Sequence, residues 1–198
     1  MLLYDSAVSG NCYKVRLLLA KLGIAYERRE LSVVDRSDRA EILGGLNPAL
    51  RVPVLVFDDG RTLAESNAII SYFAEGTEYL PSGRFERAKV LQWLFFEQYD
   101  LEPTIAVVRF WVAFAQSPPP LAEIETRRQA GHRALEAVNR GLGDRPFLLG
   151  DRFSIADIAL YAYIHVAPEG GFELGGYPAI GPWLERVAGQ PGHVTINA

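Results

Sequence analysis

Ser9, Cys12, Val52-Pro53 and Glu65-Ser66 are the residues whose types and spacing point to chemistry. Proline has no N–H to give to a sheet ladder. Pro53, just ahead of the apolar run Val54-Leu55-Val56-Phe57, therefore belongs at a strand's first residue, an edge or a special turn. The residue before a proline is steered to an extended backbone, which leaves the N–H and C=O of Val52 for something other than its own sheet. That is a clamp for a peptide-like ligand. Glu65-Ser66 precedes Ile69, Ile70 and Phe73, which carry helical spacing. A helix start offers unpaired N–H groups and the positive end of a dipole to an anion. Ser9-Gly10-Asn11 likewise precedes a helical pattern, Val15, Leu18, Leu19 and Leu22, and by itself reads as a capping turn. Cys12 falls in the first turn of that helix, where a thiol's pKa drops. A mixed-disulfide role and a small residue packed near the site are its two readings.

These residues need elements to hold them. Leu2-Leu3-Tyr4 is a short strand, and the helix after Ser9 is stopped by Gly23. Ile24 to Leu31 is a second strand with polar interruptions, so the start is a βαβ unit that wants parallel pairing. Val54 to Phe57, Asp58-Asp59-Gly60 and Arg61-Thr62-Leu63 form a hairpin with an Asp-Gly turn, and a helix follows. Residues 1–76 thus give βαβ then ββα, and 77–83, with Pro81-Ser82-Gly83, form a linker.

From residue 84 to 198 the pattern is helical only. Pro103 is expected to kink or break the first long helix, Arg84 to Ala115, near Glu102. Leu121 to Leu142 is a second helix, stopped by Gly141 and Gly143, and Phe147-Leu148-Leu149-Gly150 is a buried connector. Ser154 and Asp157 fit a capping box with Phe153 and Ile158 as its staple, and the last helix runs from Tyr177 to Gln190.

The Val-Pro clamp, the Glu-Ser helix start and the order of an α/β thioredoxin-like domain before an all-α helical bundle together resemble the glutathione S-transferase family. The likeness covers nearly the full chain. It implies that Val52-Pro53 is cis, that Val52 pairs with the cysteinyl backbone of glutathione, and that Glu65-Ser66 holds the γ-glutamyl end. Arg51 fills a place where relatives often carry Lys or Gln near glutathione, and Arg36 is a candidate for the glycyl carboxylate. Glutathione chemistry needs a thiolate. Ser9 falls where related classes place a catalytic Ser, Thr or Cys, and Asn11 resembles the Asn of a bacterial and fungal Ser-x-Asn subgroup that helps position the sulfur. Tyr4, at the end of the first strand, is the lesser donor, as in the Tyr-type classes. Cys12 stands past the family's cysteine position, which Ser9 occupies.

The second substrate of such an enzyme is expected between the domains, lined by the helix that carries Tyr99 and Arg109; core or dimer contacts are the competing role for its aromatics. Arg109 interrupts an apolar run and needs a partner, either a buried acid or an anionic electrophile. The resemblance implies a glutathione transferase acting on a small hydrophobic electrophile, with glutathione as co-substrate and no other cofactor. It also implies a homodimer in which Gln98 or Asp100 reaches across to the partner's glutathione. A glutathione-dependent disulfide oxidoreductase and a non-catalytic binding or regulatory protein are the alternatives.

Bulk properties narrow the partners. The chain has 198 residues, 49% hydrophobic and 22% charged, with a net charge of −4, and it contains no Lys/Arg cluster, so a nucleic acid is not expected. Its most apolar stretch, Ile105 to Ala115, is too short for a bilayer and contains Arg109. The N-terminus lacks a basic region and a long apolar run. With a single cysteine there is no intrachain disulfide, and a cytoplasmic location is expected. His132, His165 and His193 have no metal-ligand spacing, and no phosphate-binding glycine loop is present.

Overall fold

The structure, a computed structural model, describes residues 1–198. Two compact units divide it: Met1–Glu75 with Pro191–Ala198, and Gly76–Gln190. The boundary differs from the expected one at the C-terminus, where the last residues join the first unit instead of the helical one. Polar side chains hold this tail by its backbone. The Tyr13 hydroxyl donates to Val194 O at 2.7 Å, Lys21 Nζ to Pro191 O at 3.0 Å, and Arg28 Nη1 to Ala198 O at 2.9 Å.

In the first unit β1 (Leu2–Asp5), α1 (Gly10–Lys21) and β2 (Glu27–Glu30) form the βαβ start. A short α2 (Arg39–Leu43), which the sequence pattern did not show, precedes β3 (Val54–Val56), β4 (Thr62–Ala64) and α3 (Ser66–Ala74). The sheet order is β2-β1-β3-β4, with β1 parallel to β2 and the other pairs antiparallel. Asp59-Gly60 closes the hairpin, Gly60 taking a φ of +83°. All four side chains of β2 are exposed, so this edge has no apolar alternation to read. Helix α1 packs against α3 and is buried almost all round, with Leu17, Leu18 and Leu19 at zero exposure. Each of those leucines contributes roughly 1.5–3 kcal/mol of burial. Tyr4 belongs to a separate apolar cluster with Leu31, Leu43 and Val54, and the Arg29 guanidinium lies 5.5 Å from its ring. That placement makes Tyr4 a core residue.

The second unit contains α4 (Arg84–Phe96), a π-helical segment (Glu97–Ala106), α5 (Val107–Ala113), α6 (Leu121–Leu142), α7 (Ile155–Ile164), a 3₁₀ turn (Ala167–Gly170) and α8 (Ile180–Ala188). Pro103 therefore does not break the helix near Glu102. A proline cannot supply the N–H for an i→i−4 bond, and widening to i→i+5 turns absorbs the loss. The hydroxyl of Thr104 donates to Asp100 O at 2.6 Å within this segment. Gly141 does not stop α6 either. It lies inside the helix because a Cβ there would come within 2.5 Å of the Trp93 ring. The stop is Gly143, at φ +53°.

Every residue of α7 is buried, as expected of a helix apolar on all sides. Its start is the capping box: Ser154 Oγ accepts from Ala156 N–H at 3.2 Å and Asp157 Oδ2 from Ser154 N–H at 3.0 Å. Phe153 packs edge-on against Tyr79 and Phe147. Asp157 does more than cap, since its Oδ1 accepts from Leu148 N–H at 2.9 Å and Trp183 Nε1 at 3.0 Å. Burial pushes this carboxyl up to about 6, although these donors pull the other way. A carboxyl raised in the folded state stabilises the fold while protonated and loses that contribution as pH rises through the window from 3.8 to about 6. The loss amounts to about 3 kcal/mol at 1.36 kcal/mol per unit. Denaturant titrations of the wild type and Asp157→Asn between about pH 4 and pH 7 are expected to diverge by this amount, the wild type falling relative to the variant. Parallel curves would assign the pH dependence to other groups.

No helix is long and apolar enough to cross a membrane, and no group of three or more His, Cys, Asp or Glu residues is placed to hold a metal ion.

Candidate active site

Two helix N-termini, those of α1 and α3, are tied together in the first unit. Ser9 is the N-cap of α1, with extended backbone at φ −80° and ψ 122°, and its Oγ accepts from Cys12 N–H at 3.3 Å. As an acceptor in that bond, the hydroxyl keeps its proton to donate. Asn11, two residues on, accepts the Ser66 hydroxyl at its Oδ1 at 2.9 Å. Lys14 Nζ reaches the same Asn11 Oδ1 at 2.9 Å, Ser66 Oγ at 3.3 Å and Asn67 Oδ1 at 3.3 Å. Lys14 has zero exposure and Ser66 only 4%. Sequence reading missed Lys14 and Asn67. The one available signal was a lysine one residue away from the apolar Val15 on a helix with little room for a charge.

At the start of α3, Glu65 is an exposed N-cap with φ +68° and ψ 112°, and no side chain caps the helix. A non-glycine residue in this region costs on the order of 1–3 kcal/mol, and such residues cluster at ligand clamps. The strain turns the chain so that Ser66 meets Asn11 and Lys14 while the α3 N-terminus stays uncapped. Val52-Pro53 is cis, and Val52 is half-buried with neither its N–H nor its C=O in a backbone hydrogen bond. Pro53 is buried at the entry to β3. The loop before it is shaped by Asn47, which donates to Arg51 O at 2.9 Å and accepts from Ala49 N–H at 3.0 Å. Arg51 itself is exposed, as is Arg36, whose Nε donates to Val33 O at 3.0 Å.

Cys12 corrects an expectation. Its position in the first helical turn argued for a lowered pKa, yet burial pushes the thiol far up. The Asp5 charge adds to the rise, while hydrogen bonds from Ser9 and Ser6 and the Arg16 charge offset only part of it. A thiolate with no exposed surface lacks the water that would solvate it. Cys12 is expected to resist an aromatic disulfide reagent in the folded protein and to react on unfolding. Cys12→Ala is expected to cost about 1 kcal/mol of stability for the small cavity and to leave turnover intact. Loss of turnover with stability retained would return Cys12 to the reaction.

The second unit holds the other two expected site residues. Tyr99 is 83% exposed. Arg109 is buried and has an acid for a partner, its Nε donating to Glu169 Oε2 at 2.7 Å, with its guanidinium over the Phe114 ring.

A four-stranded mixed sheet with a cis-proline strand entry, followed by a helical unit, defines a thioredoxin-like domain joined to an all-α domain. Residues 3–78 match the family described as "Glutathione S-transferase, N-terminal domain", and residues 121–186 match "Glutathione S-transferase, C-terminal domain". The chain belongs to the glutathione S-transferase family. Among solved structures it is similar to a glutathione S-transferase from Pseudomonas fluorescens, at 44% identity and a TM-score of 0.93, covering 100% of this chain and 98% of that one. A glutathione S-transferase from Xanthobacter autotrophicus is 40% identical with a TM-score of 0.92, covering 98% and 96%. The disulfide-bond oxidoreductase YfcG of Escherichia coli is 31% identical over 93% of this chain and 89% of its own.

Proposed function

We propose that the protein is a glutathione transferase that lays glutathione along Val52 and delivers its thiolate to a small hydrophobic electrophile. The junction of the α1 and α3 N-termini carries this reading. It provides a hydroxyl at the head of α1 and an uncapped helix start beside Glu65 and Ser66, and in the same unit the backbone groups of Val52 stay out of backbone hydrogen bonds. Val52 pairs with the cysteinyl backbone, and the Glu65-Ser66 end receives the γ-glutamyl group. Ser9 donates to the sulfur as charge develops there, helped by the dipole of α1. Asn11 acts beside it by holding Ser66 in place, and Arg51 lies next to the clamp for a carboxylate. Tyr99 is exposed and has two competing roles, contact with the electrophile or with a second copy, whereas Arg109 would receive an anionic electrophile only by giving up Glu169. A homodimer is part of this reading. Leu91, Phe95 and Tyr99 recur at helical spacing on one exposed face, 47%, 70% and 83% accessible, an apolar stripe fit for a second copy.

A second reading has a specific observation in its favour, the similarity to a disulfide-bond oxidoreductase. With Cys12 buried, that chemistry would run on two glutathione thiols. One thiolate attacks a small disulfide and expels a thiol, and the second resolves the mixed disulfide to glutathione disulfide. Incubation with glutathione and either an activated aryl halide or a small dialkyl disulfide separates the readings. Thioether formation supports transfer. Glutathione disulfide formed with the dialkyl disulfide alone supports the second reading, and neither product together with no glutathione binding rejects both.

A further inference from the structure

Lys14 has zero exposure at the seam of α1 and α3, where an apolar side chain would fill the same space without desolvating a charge. Its Nζ meets three oxygens: Asn11 Oδ1 at 2.9 Å, Ser66 Oγ at 3.3 Å and Asn67 Oδ1 at 3.3 Å. Ser66 and Asn67 are the first two residues of α3, whose N-terminus no side chain caps. We propose that Lys14 is a positioning residue for the γ-glutamyl end of glutathione, holding Ser66 and Asn11 so that the Ser66 hydroxyl can turn from Asn11 to the ligand's carboxylate. This rests on the glutathione function proposed above and gives it a residue that selects for one end of the ligand.

Ser66 has a single hydroxyl proton to give. It points that proton at Asn11 Oδ1, at 2.9 Å. A carboxylate arriving at the start of α3 must therefore draw the hydroxyl away from Asn11. An amide oxygen that loses a donor in a partly enclosed place costs binding energy. Lys14 removes that cost. An ammonium is a donor only, and one of its N–H groups is already on Asn11 Oδ1. The amide oxygen thus stays paired whichever way the Ser66 hydroxyl turns.

The other two contacts act on α3 itself. The N–H given to Ser66 Oγ polarises that hydroxyl and makes it a stronger donor to the acceptor it serves. The N–H given to Asn67 Oδ1 orients the amide of the next residue, whose backbone carbonyl accepts the Ser71 hydroxyl at 2.7 Å. Loss of Lys14 therefore penalises the γ-glutamyl carboxylate, and not the cysteinyl backbone that lies along Val52.

Calorimetric titration with glutathione and with cysteinylglycine, which lacks the γ-glutamyl group, separates this role from general packing. The wild type is expected to bind glutathione more tightly than cysteinylglycine. Lys14→Met, which keeps the side-chain length and drops the donors, is expected to weaken glutathione about tenfold and cysteinylglycine less than about twofold. In a Ser66→Ala background the same substitution is expected to cost glutathione far less, because no hydroxyl is left to turn. A measurement on the wild type needs no folded variant. The ¹⁵N signal of the buried Lys14 ammonium is expected to shift on adding glutathione and to stay in place with cysteinylglycine. An equal loss for both ligands, an undiminished loss in the Ser66→Ala background, or an ammonium signal indifferent to glutathione would each overturn the role of Lys14 and leave the glutathione reading standing. Absence of glutathione binding by the wild type would overturn both.

Discussion

Ser9→Ala is expected to raise the thiol pKa of bound glutathione by up to about two units, toward the free value of about 8.5. The argument starts from the cap geometry. Ser9 Oγ accepts from Cys12 N–H, so the cap bond itself does not use the hydroxyl proton. A hydroxyl donor together with the α1 dipole must supply about 2.7 kcal/mol to hold the thiol near pH 6.5. Removing the donor reduces the thiolate at that pH by up to about 50-fold. Turnover falls less, because a more basic thiolate is also a better nucleophile with a Brønsted slope of about 0.4–0.5, which recovers about tenfold. The rate loss is thus up to about fivefold, and the pKa is the sharper readout. Thiolate absorbance of bound glutathione against pH measures it directly. Ser9→Thr, which keeps both hydroxyl and cap, is expected to behave as the wild type. The cap loss in Ser9→Ala appears separately, as about 1 kcal/mol of stability. An unshifted pKa in Ser9→Ala would assign the activation to other donors.

Arg16→Met is expected to be the most destabilising single change in the first unit. The Asp5 carboxylate has zero exposure, and Arg16 Nη1 grips it with bonds of 2.8 and 2.7 Å. The same guanidinium donates to Ser6 O at 3.2 Å, Ala7 O at 2.9 Å and Ile196 O at 2.5 Å. One side chain therefore joins β1, the loop that leads to Ser9 and the C-terminal tail. Without it Asp5 keeps Arg28 alone, at 2.5 Å and 30% exposed. Breaking a buried ion pair from one side costs about 3–5 kcal/mol. For a chain of this size that lowers the melting temperature by roughly 6–20 °C, at 2–4 °C per kcal/mol. Arg16→Lys keeps the charge but not the fork and should fall between the two. A shift below about 2 °C in Arg16→Met would mean that Arg28 suffices for Asp5.

The outcomes for individual residues follow from what each signal encodes. Pro53 and Gly60 were legible because their constraint is local: a missing N–H and a positive φ act wherever the chain goes. Ser154 and Asp157 were legible for the same reason, a cap being a short-range pattern. Pro103 was only half legible. Its missing donor was certain, but the response, a π segment with Thr104 bonding back to Asp100, depended on the surrounding helices. Gly141 was misread as a stop because its reason is a distant ring, that of Trp93. Cys12 is the small packed residue of one reading, but the direction of its pKa was misread, because a helix N-terminus lowers a thiol's pKa while burial raises it, and burial depends on the packing of the whole unit.

The chain's periodicities, its turn residues and its two helix starts thus determined a thioredoxin-like domain, a helical domain and the positions of Ser9, Val52, Glu65 and Ser66. Interactions between residues far apart in sequence were decided only by tertiary structure. Packing α1 on α3 brought Lys14 and Asn11 to Ser66 and buried the lysine. The buried Arg16 drew the C-terminal residues back to the first unit. Local patterns carry backbone preference; burial and long-range pairing depend on the summed packing of all the elements, which no window of sequence contains.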